Sequence, residues 1–405
     1  MRIAIIGGGI GGLSASLALR QFGFEPEVFE QAPELLEVGA AIAVWPNAMR
    51  LLQRLGIGET VIQHAGIIEQ VKWLTQDGRS LNQVRFQKTN APAVALHRAK
   101  LQNALVRALP ANSIHLGRVF LGWQQEGDVV SARFADGSSV KCDLLIGADG
   151  LHSRVRAQLL ADGPPSPRGY TAWRGIADRA PAATSHGTAV EIFGRGKRFG
   201  IGPVGQGRIG WWATVNDPDL PVNKETRRRT AADAPGAEMS QPLQRELLRL
   251  FESWCEPVLE LIQATPATSI VKNEVFDRRP TRKWGVGPII LLGDAVHPTT
   301  PNLGQGGCLA IEDAVVLARC LNKCNESNST SSPANINRAL RTYEELRWAR
   351  TSAIANYSRR YGAIGQWESV MAARLRNNLL SLLPHKLTQR LLQMIFSYDA
   401  YGTSV

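Results

Sequence analysis

Arg2-Ile3-Ala4-Ile5-Ile6-Gly7-Gly8-Gly9-Ile10-Gly11-Gly12-Leu13-Ser14-Ala15-Ser16-Leu17-Ala18-Leu19 is the stretch that decides the fold. Arg2 to Ile6 is a short apolar, β-branched run of the kind that makes a buried parallel strand, and the residues after Gly12 have helical character. A strand that enters a helix through spaced glycines is a dinucleotide-binding turn. Gly7 permits the tight turn, Gly9 lets the backbone approach a pyrophosphate, and Gly12 lets the helix pack closely on the strand, with Gly11 in the same fingerprint and the phosphate at the positive helix end. After Gly23, the strand Glu27-Val28-Phe29 ends at Glu30. A carboxylate at that distance can accept hydrogen bonds from adenosine ribose hydroxyls and disfavours a 2′-phosphate. Gln31 beside it is assigned to the same site.

Far downstream, Gly287-Pro288-Ile289-Ile290-Leu291-Leu292 reads as another buried strand and delivers Gly293-Asp294-Ala295-Val296-His297-Pro298. This second fingerprint narrows the dinucleotide to a flavin. Between the two, Cys142-Asp143-Leu144-Leu145-Ile146 leads into Gly147-Ala148-Asp149-Gly150. The expected class is α/β, with a discontinuous Rossmann-like dinucleotide domain, an inserted β-rich substrate domain and C-terminal helices. The expected division gives the dinucleotide domain residues 1–68, 98–169 and 276–321. The substrate domain takes 69–97 and 170–275, the latter read as strands rich in tryptophan and glycine, and residues 333–405 form the helical region. The polar stretch 322–332 reads as a loop or linker.

The chain has 405 residues and 44% hydrophobic content, enough for two intertwined domains. No stretch approaches the length of a membrane span, and glycines interrupt the apolar N-terminus too soon for a signal peptide, so a cytoplasmic location is expected. Cys142, Cys255, Cys308, Cys320 and Cys324 form no Cys-x-x-Cys pair and suit reduced thiols; no metal site is expected. The net charge of +11 admits an anionic ligand, an anionic membrane surface or nucleic acid. The one dense basic run, Arg227-Arg228-Arg229, lacks interleaved aromatics, which argues against nucleic acid. Near the end, Met371, Leu375, Leu379, Leu382 and Leu383 recur at helical spacing beside Arg374 and Arg376. After Pro384 the pattern returns as Leu387, Leu391, Met394 and Ile395 beside Lys386 and Arg390. Such a pair either packs on the body or touches a membrane as basic amphipathic helices. The oligomeric state stays open.

With Gly7/Gly9/Gly12, Gly147-Ala148-Asp149-Gly150 and Gly293-Asp294 in that order, the chain resembles the single-component FAD-dependent aromatic hydroxylases, the para-hydroxybenzoate and salicylate hydroxylase class. The resemblance implies FAD as cofactor, NADPH or NADH as co-substrate and O2 as oxidant. It assigns Asp149 and Gly150 to FAD and nicotinamide contact, and Asp294 to the flavin ribityl chain. Arg98 and Gln102 fall on the family's Arg-x-x-x-Gln helix near the pyrophosphate, and Val119 on a residue whose backbone meets the adenine. The loop with Ala41, Ala43 and Trp45, Gly39-Ala40-Ala41-Ile42-Ala43-Val44-Trp45-Pro46-Asn47, is similar to that of urate hydroxylases and zeaxanthin epoxidases. Gly196-Lys197-Arg198 and Gly365-Gln366-Trp367-Glu368-Ser369 are similar to alkylquinolone hydroxylases. Against the urate pattern, Ala172 replaces a polar residue and Gly210 falls where a tyrosine is expected.

Oxygen insertion then belongs to a flavin C4a-hydroperoxide, and the protein positions the target and excludes water. Pro298, Pro301 and Gly304 are the expected flavin-positioning residues. Leu303, Gln305, Gly306 and Gly307 complete a loop whose free N–H groups and following helix dipole can stabilise charge on reduced flavin. His297 reads as a structural hydrogen-bonding residue or an acid/base. Trp45, Trp173, Arg174, Arg198 and Trp212 are substrate-side candidates for a small aromatic or lipophilic molecule. The leading reading is hydroxylation of an aromatic or heteroaromatic compound. Epoxidation of a polyene or isoprenoid, an FAD dehydrogenase or oxidase without oxygen insertion, and a non-enzymatic flavoprotein stand as alternatives.

Overall fold

The computed structural model describes residues 1–35, 40–181, 184, 186–217, 237–327 and 332–405, with backbone alone for 237–240 and 325–327. Gly39, the Arg227-Arg228-Arg229 run and residues 328–331 of the expected linker lie outside the described residues.

The glycine motifs hang from one six-stranded sheet, in the order Gly285–Val286, Ile289–Leu291, Leu144–Gly147, Ile3–Ile6, Glu27–Phe29 and Ile114–His115. Only the Gly285–Val286 pairing is antiparallel. Ile3–Ile6, Leu144–Gly147 and Ile289–Leu291 are buried along their whole length, which is why each reads as a continuous apolar run. Helix Ile10–Arg20 packs on helix Gly306–Ser327, with Gly11 set so closely that a Cβ there would lie 3.0 Å from Leu292 and 3.4 Å from Ala310.

A seven-stranded sheet forms the second layer, in the order Val271–Asp277, Ser166–Ala177, Ile209–Asn216, Lys197–Pro203, Thr188–Phe193, Gln70–Thr75 and Ser80–Arg85. Thr188–Phe193 runs parallel to Gln70–Thr75, and the other pairs are antiparallel. Ala93–His97 does not join this sheet. It pairs with Ala41–Val44 and Gly66–Ile68 in a small sheet between the two layers.

The stretch 170–275, expected to be rich in strands, also contains helices Ala237–Leu250 and Val258–Gln263. Leu247, Phe251, Val258, Leu261 and Ile262 recur at helical spacing and are fully buried under the sheet with Phe199 and Trp211. Burying each contributes about 1.5–3 kcal/mol, which outweighs the break signalled by Pro242 inside the first helix. The expected linker also starts too early, because helix Gly306–Ser327 runs through Asn322. Its buried face continues through Cys320 and Leu321 to half-buried Cys324, so packing overrides polar composition.

The C-terminal region is helix Pro333–Gly365, helix Val370–Leu382 and helix His385–Phe396. The last two lie across strand Ser80–Arg85, where Asn82 Nδ2 donates to the carbonyls of Leu380 and Leu383, both at 3.0 Å.

Candidate active site

Strands ending at Ile6, Gly147 and Leu291 lie side by side, so their carboxyl ends form one rim, the place where a parallel α/β sheet takes its ligand. At Gly7 the backbone turns through φ +110°, and a Cβ there would lie 2.4 Å from the Ala148 carbonyl oxygen. A Cβ on Gly12 would lie 2.0 Å from the Gly7 oxygen. Gly9 differs, since an added Cβ would meet nothing within 4 Å and would project into open space. Helix Ile10–Arg20 begins there with no side-chain cap and no acid in its first turn, so its free N–H groups face the same opening.

Glu30 is held in place by its own loop. Its carboxylate accepts from the Gly8 N–H at 2.6 Å and the Ala32 N–H at 2.9 Å, and keeps lone pairs for further donors. Gln102 Nε2 donates to the Gly8 carbonyl at 2.8 Å, tying helix Arg98–Arg107 to the glycine turn. Arg98 stands exposed at the start of that helix, and Gln31 is exposed beside Glu30. The Val119 carbonyl accepts from the Ala135 N–H at 2.9 Å.

The two aspartates of the downstream motifs are placed differently. Asp149 turns to helix Arg154–Leu160, accepting from Ser153 Oγ, the Arg154 N–H at 2.7 Å and the Val155 N–H at 3.2 Å. Its carboxylate shapes the turn holding Gly150. Asp294 makes no hydrogen bond among the described residues. It is exposed by accessible area yet enclosed by protein, so the surface it presents is that of an internal cleft. This desolvation pushes its pKa up, against the pull of His297 and Arg98.

After Asp294, Pro301–Leu303 forms a single tight turn ended by Gly304 at φ +60°. A Cβ on Gly304 would be 2.9 Å from Trp45 Nε1, and one on Gly307 would be 3.0 Å from Ile42 Cδ1. The loop therefore lies against the small sheet that carries Ala41 and Ala43.

Beneath the loop is a buried charge network that the sequence reading did not find. Asp313 accepts from Arg347 Nε at 2.7 Å and from the Gly293 N–H at 3.1 Å, and pairs with His297 Nε2 at 2.5 Å. Glu312 pairs with Arg347 at 2.7 Å and Arg350 at 2.9 Å, and accepts from Asn47 Nδ2 at 2.7 Å. Asn47 Nδ2 also donates to Gln305 Oε1 at 3.0 Å. Burial alone would raise the Asp313 pKa, but the charges of His297 and Arg347 outweigh it and hold the group below its ordinary value. His297 thus serves the network that fixes the Gly293 turn. The available signal was Glu312-Asp313 inside the apolar run Cys308-Leu309-Ala310-Ile311 and Ala314-Val315-Val316, because buried adjacent carboxylates demand cations.

The seven-stranded sheet presents Tyr170, Ala172, Arg174, Ile176, Gly210 and Trp212 on the side facing this loop; Tyr170 Oη accepts from Asn302 Nδ2 at 3.1 Å. Trp173 points the other way, into the core with Phe199, Trp211 and Phe251, and carries Lys272 Nζ 4.8 Å from its ring. Strand alternation puts it there. Arg198 is completely buried with a partner at every nitrogen: Nε donates to Gln366 Oε1 at 2.9 Å, one terminal nitrogen pairs with Glu191 at 3.1 Å, and the other donates to Asn302 Oδ1. It braces the sheet against the loop. Trp212 lies beneath it, 5.3 Å from the guanidinium carbon, where Gly200 leaves room for the indole. Arg174 has no hydrogen bond or ion pair among the described residues; desolvation and then the nearby Arg98 charge lower its pKa. Trp45 stacks on Phe396 with centroids 4.6 Å apart, and its buried Nε1 has no hydrogen-bond partner among the described residues.

Residues 1–356 match the family model described as FAD binding domain. The chain belongs to that family. It is 38% identical to aurachin C monooxygenase/isomerase of Stigmatella aurantiaca, over 95% of this chain and 94% of that one. It is 33% identical to an FAD-dependent urate hydroxylase of Klebsiella pneumoniae, over 86% of each. To the chloroplastic zeaxanthin epoxidase of Solanum lycopersicum it is 34% identical over 89% of its length, spanning 54% of that protein. The fold is that of Klebsiella pneumoniae HpxO complexed with FAD and uric acid, with a TM-score of 0.85, 30% identity and coverage of 98% and 96% of the two chains. The protein is thus an FAD-dependent monooxygenase with the two-domain α/β fold of the hydroxylases. The cleft fits FAD on its own chemistry: open backbone at Gly9, a braced carboxylate at Glu30 and an unpaired one at Asp294.

Proposed function

We propose that this monooxygenase hydroxylates a lipophilic aromatic or heteroaromatic small molecule that carries one polar or anionic end. The observation that carries the reading is the loop-facing side of the seven-stranded sheet, where Arg174 and Trp212 are partly exposed beside buried Tyr170, Ala172, Ile176 and Gly210, and Arg174 has no hydrogen bond or ion pair among the described residues. Flat apolar bodies suit such a wall, and the guanidinium suits an oxyanion or carbonyl oxygen. The urate pattern fits it poorly. A Cβ on Gly210 would already lie 2.6 Å from Val204 and 2.7 Å from Ala41, so the tyrosine of that pattern has no room.

FAD bound in the cleft and reduced by NADPH or NADH would activate O2, one oxygen atom going into the substrate and the other leaving as water. Gly9 and Arg98 are proposed to take the pyrophosphate on a turn that Gly7, Gly11 and Gly12 shape, Glu30 the ribose hydroxyls and Asp294 the ribityl chain. The N–H groups from Gly304 to Gly307, ahead of helix Gly306–Ser327, are proposed to hold the charge that grows on the flavin pyrimidine ring. Pro298 and Pro301 keep that loop from giving way. A lipophilic substrate also fits a peripheral place at a membrane surface, and the reading extends to that.

The test is turnover of the purified holoenzyme with NADPH or NADH against alkylated quinolones, simple phenols, urate and a polyene. Gain of one oxygen atom by the quinolones, read by mass spectrometry, supports the reading. Oxygenation of urate or the polyene in preference, or nicotinamide oxidation with no oxygenated product from any of them, removes it.

A further inference from the structure

Helix Val370–Leu382 turns Met371, Leu375, Leu379 and Leu382 to solvent, with Met371 84% and Leu382 78% exposed. Helix His385–Phe396 does the same with Leu387, Leu391 and Met394, the last 67% exposed. Opposite these residues, Leu380 and Leu392 pack against the cluster of Trp73, Leu81, Val84 and Phe193. Both helices thus rest on the same sheet edge and direct their apolar stripes away from it. Scattered exposed leucines are ordinary, but two neighbouring stripes on consecutive helices form a patch that marks an interaction surface.

Charge selects the occupant. Between Val370 and Phe396 there is no Asp or Glu, while Arg374, Lys386 and Arg390 stand exposed beside the stripes. A second copy docking by two-fold symmetry would bring this cationic face against itself. An anionic surface meets it without that conflict. No described helix is long and apolar enough to cross a bilayer, so the contact is with the interface, the place for apolar residues flanked by cations.

We infer that the outer faces of helices Val370–Leu382 and His385–Phe396 dock on an anionic lipid bilayer, seating the leucine and methionine stripe among the acyl chains and the cations among the headgroups. Phe396, on the inner side of the second helix, stacks on Trp45, which lies against the Gly304 loop, so the helix whose outer face docks is braced on that loop. Such a place would suit a lipophilic substrate dissolved in the bilayer. This last step rests on the substrate reading above; the docking does not.

The experiment is co-sedimentation of the FAD-loaded full chain with phosphatidylcholine vesicles, with and without phosphatidylglycerol, in the absence of substrate. The wild type binds the anionic vesicles and salt releases it. Leu375→Ser/Leu379→Ser/Leu391→Ser abolishes binding, and each of Arg374→Gln, Lys386→Gln and Arg390→Gln lowers partitioning about fivefold. Flavin content and melting temperature establish that the variants fold, as expected for exposed positions. Failure of the wild type to bind anionic vesicles overturns the inference, whether the protein is then monomeric or is a dimer that the serine variant dissociates. Because no turnover is measured, a failure here leaves the proposed hydroxylation standing, and a failure of hydroxylation leaves vesicle binding intact.

Discussion

Arg198 Nε donates to Gln366 Oε1 at 2.9 Å across 168 residues of chain, and so joins the seven-stranded sheet to the end of helix Pro333–Gly365. The same guanidinium reaches Glu191 and Asn302, and Glu191 in turn accepts from Tyr361 Oη. The seven-stranded sheet, the Pro301–Leu303 turn and the C-terminal helices therefore share one buried cation.

Removing that cation strands a carboxylate. Arg198→Met is expected to cost about 3–5 kcal/mol of stability, since the partner is left buried and unpaired. Burial already raises the Glu191 pKa, so Glu191→Gln alone should be milder, and Glu191→Gln/Arg198→Met should lose less than the sum of the two single changes. Urea denaturation of the four proteins measures this. Strict additivity would show that the two residues do not act as a pair.

Two glycines of the first fingerprint should fail in different ways. Gly12→Ala places a Cβ 2.0 Å from a backbone oxygen and should unfold the N-terminal unit or prevent its expression. Gly9→Ala meets no protein atom, and its backbone at φ −76° suits alanine, so the FAD-free variant should melt with the FAD-free wild type yet take up little flavin. Visible absorbance and apoprotein melting curves separate the two. A Gly9→Ala protein as yellow as the wild type would remove the pyrophosphate from that turn.

Asp294 makes a pH prediction with a definite sign. Its pKa is raised in the folded chain, so the folded state binds the proton more tightly. The associated stability is fully present below the unfolded value near about 4 and is lost as pH rises through the raised folded value. Asp294→Asn should flatten that part of the stability profile of the FAD-free protein. Asp294→Ala should weaken FAD binding roughly 10–100-fold, the worth of a hydrogen bond to a charged group. Unchanged flavin content on purification would remove the ribityl assignment.

The thiols should divide by burial. Cys142, Cys308 and Cys320 are buried, and burial pushes each thiol up to about 12, so they present almost no thiolate at neutral pH. Cys255 and Cys324 are partly exposed. Iodoacetamide at neutral pH should label these two first, and the other three only after unfolding. Rapid labelling of Cys308 in the native protein would mean that the helix beneath the flavin loop opens.

The strand and glycine motifs were legible because each is local: apolar runs such as Ile289-Ile290-Leu291 are buried on both faces, and the turns after them need glycine whatever lies elsewhere. The side of the seven-stranded sheet proposed to meet substrate was not legible to the same degree. Trp173 and Trp212 are both strand tryptophans, and only sheet register reveals that one faces the core and the other the cleft. Arg198 reads as a free cation in sequence because Glu191, Asn302 and Gln366 come from three other segments. Helix Ala237–Leu250 was hidden by Pro242 and by polar neighbours, although Leu247 and Phe251, one helical turn apart at its end, are both buried.

The strand Ile3–Ile6 has its sheet neighbour at Leu144–Gly147, and that strand has its own at Ile289–Leu291. At a synthesis rate of about 5–20 residues per second, roughly 15–60 s pass between the emergence of Gly12 and that of Asp313. A nascent chain on the ribosome therefore carries one wall of its coenzyme cradle long before the other exists. Flavin capture must therefore wait until the strand Ile289–Leu291 and the Gly293 turn after it have been made.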